Sequence, residues 1–130
     1  MRRGVAAILG ILFAANGTWM IAAPFHWYAS IPGVTATGPA NGHFIRDVGC
    51  GYFVVALALI WLAYSPRLAW PAALAGAGFL LLHALVHVWD TAAGREHAHR
   101  LLAEVPTVIL PAFLVCWLAW PPKGALRKEL

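Results

Sequence analysis

At 130 residues, 62% hydrophobic and 11% charged, this chain has too few polar side chains to cover the surface of a soluble domain. Its net charge of +4 falls mostly at the ends of apolar runs, where membrane topology accounts for it and a nucleic-acid partner is not expected. The composition instead suits a polytopic all-α protein whose exterior faces lipid.

A helix crossing the hydrocarbon core takes about 20 apolar residues. The first such run is 5–23, with Asn16 its strongly polar member and Pro24 at its end. Met1-Arg2-Arg3 before it resembles a signal peptide, but a four-span chain needs this segment, so it is expected to stay as the first helix. Residues 24–41 follow as a loop rich in Pro and Gly yet aromatic, with Phe25, Trp27 and Tyr28. This loop reads either as an interfacial anchor or as a lid over a site for a membrane-soluble small molecule.

The second helix is expected over 41–64 with Asn41 as its N-cap, and the third over 71–90 with Pro71 in its first turn. Residues 91–100 are the one strongly hydrophilic stretch. They lead into a fourth helix over 101–120, which Pro106 and Pro111 should bend. Cys50 and Cys116 lie in apolar runs at different expected depths, so no disulfide is expected.

The predicted fold is thus a four-transmembrane-helix bundle forming a single domain. With the N-terminus inside, Arg2, Arg3, Arg67, Lys123, Arg127 and Lys128 fall on the inner side, against Arg46, Arg95 and Arg100 outside. The excess places both termini in the cytoplasm of a cell with the chain in its inner membrane.

On this topology all six histidines gather toward the outer face, together with Asp47, Asp90, Glu96 and Glu104. Ionisable groups within a span are costly and point to function. His43 and Asp47 are i,i+4 on the second helix. His83, His87 and Asp90 are spaced by four and three on the third. Asp47 and His83 each lie about 8–11 Å below the outer ends of their helices. Glu104, and Asn16 on the first helix, can approach the same depth.

Imidazole and carboxylate together are ligands of Zn, Fe, Mn or Cu(II), and bundle sites form from side chains on facing helices. The expected metal ligands are His43, Asp47, His83, His87 and Asp90. Asp47 and Glu104 are the candidate acid/base groups, and Arg46 compensates charge. Each has a structural alternative. The His83/His87 pair can bridge helices, Asp90 can pair with Arg95, Asp47 or Glu104 can pair with Arg46, and Asn16 can donate between helices. His26, His97 and His99 are expected at the interface or in solvent.

The size, the Asn16-Gly17 pair with a following Pro, and Phe44-Ile45-Arg46-Asp47-Val48-Gly49 leading a Gly/Ala-rich helix resemble the DoxX-like group of small four-helix bacterial membrane proteins. That resemblance covers the first half of the chain and implies the four-helix fold. It transfers no catalytic residue. The functional expectation is a membrane protein with an outward-facing metal site, as an oxidoreductase or hydrolase. The alternative is a non-catalytic accessory or assembly subunit, with Gly49, Gly51, Gly76 and Gly78 allowing close approach within the bundle, to a second copy or to a larger complex.

Overall fold

The computed structural model describes residues 1–121. Lys123, Arg127 and Lys128, which enter the orientation argument, lie outside the described residues. The chain forms α1 (Arg2–Ala22), α2 (Pro24–Ser30), α3 (Gly42–Tyr64), α4 (Pro66–Ala92) and α5 (Ala98–Ala119). A short 3₁₀ turn, Val34–Ala36, lies between α2 and α3. Four of these helices, α1, α3, α4 and α5, are long and apolar enough to cross a membrane. Large apolar side chains such as Ile11, Val54, Leu82 and Phe113 point outward from them, as a lipid-facing surface requires.

The spans pack side by side in chain order. α1 lies most extensively against α3, α3 against α4, and α4 against α5, while α1 and α5 touch sparsely. The core is built on small residues, including Ala6, Ala56, Ala69, Ala73, Ala77, Ala112 and Ala119, around Leu59, Val55 and Val115. Small side chains bring helix backbones close, which in lipid supplies the dispersion energy that water would otherwise help provide.

The closest approach is α1 on α3. A Cβ on Gly17 would stand 2.8 Å from the Gly49 carbonyl oxygen, and one on Gly49 would stand 2.8 Å from the Met20 Cβ. Of the other glycines, Gly51 lies under the Phe79 ring, Gly76 has ordinary clearance to Val55, and Gly78 faces open space. The small-residue expectation therefore holds at Gly49 and Gly51, while the decisive partner, Gly17, lies on α1.

Three boundaries differ from the sequence expectation. Residues 24–30 are helical because Pro24 fixes the first-turn backbone and no glycine intervenes before Gly33, whose φ of 87° turns the chain. α4 starts at Pro66, which takes the first-turn role assigned to Pro71. Pro71 is then inside the helix but so near its start that only the bond to Arg67 is lost. The fourth span begins at Ala98, and its bend has a specific form. Ala98–Glu104 is α-helical, Val105–Ile109 around Pro106 widens to a π-helix, and Leu110–Ala119 is α-helical again. Asn41 caps α3 as expected, its Oδ1 accepting from the backbone N–H groups of His43 and Phe44, both at 3.1 Å. Cys50 and Cys116 are free thiols.

Replacing Gly17 with Ala should force α1 and α3 apart, because its nearest neighbours are backbone atoms that cannot rotate away. A loss of about 1–3 kcal/mol is expected in reversible SDS unfolding. Gly78→Ala, with nothing within 4 Å, should leave the midpoint unchanged or raise it slightly.

Candidate functional site

Up-and-down packing brings the C-terminal half of α4 beside the start of α5. On α4 the buried stripe Ala73, Ala77, Leu80 and Ala84 continues toward His83 and His87, so the two imidazoles lie along the packed side of the helix. Their rings meet at 4.9 Å between centroids, with the two Nε2 atoms 3.4 Å apart. On α5, Glu104 is the last residue before the π segment and turns its carboxylate toward α4. His87 Nδ1–H donates to Glu104 Oε2 at 2.8 Å. Both side chains are about a quarter to a third exposed, at 26% and 30%.

The result is a linear chain, Glu104–His87–His83. A carboxylate that accepts here puts the His87 proton on Nδ1 and turns its Nε2 toward His83. Beyond His83 the surroundings turn aromatic. Phe79 stacks on its ring at 6.2 Å and Tyr52 of α3 meets it edge-on at 5.8 Å. Tyr52 in turn packs on Phe13 of α1 at 5.6 Å. One side of the triad is therefore flanked by rings from α3 and α4, with Phe13 of α1 behind Tyr52.

The five expected ligands do not share one centre. Among the described residues, no group of three or more His, Cys, Asp or Glu side chains is placed to hold an ion. His43 and Asp47 pair with each other at 3.4 Å but are 88% and 60% exposed. They sit on the outward stripe that continues through Val54, Leu57 and Trp61, whereas the inward face of α3 carries Ile45, Gly49 and Ala56. The contribution of α3 to the site is instead Tyr52. Asp90 bonds Arg95 at 2.9 Å across the turn at Gly94, whose φ is 70°.

Other assignments resolve likewise. Glu104 pairs with His87 and not with Arg46. Arg46 instead donates to the Ile21 carbonyl at 3.2 Å, at the end of α1, and to that of Gly42 at 3.4 Å. Asn16 belongs to the α1–α2 junction, where its Oδ1 accepts from the Trp27 indole at 3.0 Å. His26 accepts from the Trp19 indole at 3.0 Å, and His97 stacks on His99. Glu96 pairs with Arg100, which also donates to the Gly33 carbonyl and so ties the 24–41 segment to α5.

No family model matches this chain, and neither does a curated protein or a solved structure. The DoxX-like resemblance accordingly rests on the sequence motifs alone, and the chemistry has to be argued from the side chains.

A double-mutant cycle tests whether the triad joins α4 to α5. His87→Ala and Glu104→Ala should show a coupling of about 0.6–1.7 kcal/mol in unfolding, as polar pairs in membrane helices do. The exposed His43/Asp47 pair should show no measurable coupling.

Proposed function

We propose that this is an integral, multi-pass membrane protein that holds a transition-metal ion on His83 and His87, near the outer face of the bacterial inner membrane. The observation that carries this reading is the Nε2–Nε2 separation of 3.4 Å. Two imidazole nitrogens bound to one tetrahedral ion at ~2.0–2.1 Å stand about 3.3–3.4 Å apart. A separation of this size suits two ligands of one ion once both Nε2 atoms are deprotonated, and it suits an Nε2–H···Nε2 hydrogen bond when one is not.

Glu104 supports the reading from behind. A metal-binding imidazole commonly gives its second N–H to a carboxylate, which fixes the tautomer and raises the basicity of the ligating nitrogen. The Glu104–His87 bond at 2.8 Å has that form. Glu104 is therefore placed as an orienting group more than as a free acid or base. His43, Asp47 and Asp90 have no part in this set.

Two imidazoles leave positions for exchangeable ligands, as a metal-dependent oxidoreductase or hydrolase acting on a membrane-soluble molecule needs. Imidazole beside a carboxylate, with no thiolate or thioether in the set, favours Zn, Fe, Mn or Cu(II) over Cu(I). The outward placement rests on the excess of Lys and Arg at the opposite end of the sequence map.

One observation favours a second reading, in which the chain is a non-catalytic accessory or assembly subunit. The triad's ring nitrogens and carboxylate bond one another, so it is complete as a link between α4 and α5.

Metal analysis of detergent-purified protein separates the two readings. Stoichiometric metal is expected in the wild type and none in His83→Ala/His87→Ala. Glu104→Gln should weaken binding by about 10–100-fold, since it disturbs orientation without removing a ligand. Metal-free protein after reconstitution with Zn, Mn, Fe and Cu salts, with helicity intact, would leave the accessory reading standing.

A further inference from the structure

At the end of the bundle opposite the triad, Arg2 and Arg3 reach across to two other helices. Arg2 Nη2 donates to the carbonyls of Trp117, Leu118 and Trp120 at 2.7, 2.9 and 3.0 Å, and its guanidinium lies 5.3 Å over the Trp117 ring. Arg3 donates through Nε and Nη2 to the carbonyls of Ala63 and Tyr64 at 2.6 and 2.8 Å. Each guanidinium keeps its Nη1 outside these bonds.

Between them lies a cleft of about 190 Å³, walled by Leu62, Pro66, Leu118 and Trp120 with the two arginines. That is several times the ~30 Å³ share of a liquid water molecule. The cleft sits at the mouth of the bundle, where α1 and α4 start and α3 and α5 end, that is, at one end of all four candidate spans. Its lining is mixed in the same sense as a phospholipid, with cations beside apolar walls. The four described acids, Asp47, Asp90, Glu96 and Glu104, all lie toward the other end, so none of them neutralises the pair.

We infer that this cleft binds the headgroup of an anionic phospholipid, its phosphate on Arg2 and Arg3 and its glycerol and upper acyl chain on Leu62, Leu118 and Trp120. Guanidinium forks suit phosphate oxygens, and basic pockets between transmembrane helices are where anionic headgroups are held. Arg2 and Arg3 are already positioned by carbonyl bonds, so little side-chain freedom is lost on binding. The inference stands independently of the metal reading, because it uses no residue of the triad.

Native mass spectrometry of the full chain in neutral detergent tests it, with phosphatidylglycerol, phosphatidylcholine or inorganic phosphate added. One phosphatidylglycerol per chain should be retained about thirtyfold better than phosphatidylcholine, the increment two surface arginines supply. Inorganic phosphate should not displace it, and Arg2→Gln/Arg3→Gln should bring it down to the phosphatidylcholine level. Equal retention of the two lipids would overturn the inference. So would displacement by inorganic phosphate, which would mark a site for the free anion. Where circular dichroism shows the double variant unfolded, Arg3→Gln alone is read, with Arg2 still bonded to α5. An undiminished phosphatidylglycerol preference in that variant also overturns it.

Discussion

The last carbonyls of an α-helix have no partner within the helix, and where lipid displaces water they must find donors elsewhere. Three arginines meet that demand, and they do so across helices. Arg3 on α1 donates to the end of α3, Arg2 to the end of α5, and Arg46 on α3 to Ile21 at the end of α1. Each bond satisfies a costly backbone group and places a cation at the negative end of a helix dipole. Each also fixes the level of one helix against another. With the levels fixed, Gly17 meets Gly49 and Tyr52 stands opposite His83.

The polar triad depends on that registration and adds one more tie. α4 and α5 are joined by a short polar turn, and the Glu104–His87 bond sets how far α5 slides along α4. Glu104 lies at the start of the π segment forced by the missing N–H of Pro106. A widened turn changes the direction of the residues on either side of it, so the proline and the carboxylate's aim belong to one local event. The rings of Phe79 and Tyr52 cover the far side of His83, with Phe13 packed behind Tyr52.

Much of the architecture was legible in the sequence because hydropathy reports spans directly, and Asn41 announced the start of α3 by its capping chemistry. The His83/His87 face was legible too, since a spacing of four on a helix is geometry that no neighbour can undo. The facing of α3 was not. In a lipid-facing helix both sides are apolar, so the pattern does not mark which side packs. The stripe with His43 and Asp47 looked more promising than the one with Gly49 and Tyr52. The small residues were the better guide, because close packing selects them while charge at a helix end merely marks the interface. Glu104's partner was hidden for a related reason. Arg46 and His87 are both within reach at the level of spans, and the structure pairs Glu104 with His87 while Arg46 turns to the end of α1.

The two ends of the molecule then follow different chemical rules. At the triad end the carboxylates each have a cationic or imidazole partner: Asp47 with His43, Asp90 with Arg95, Glu96 with Arg100, Glu104 with His87. Only the last pair joins two spanning helices and continues to a second imidazole, which is why it outranks the others as a site. At the other end Arg2 and Arg3 face carbonyl dipoles in place of carboxylates, so among the described residues no carboxylate offsets their charge. The described acids thus all lie at the triad end, each beside a basic or imidazole partner, while Arg2 and Arg3 at the other end are held by backbone carbonyls.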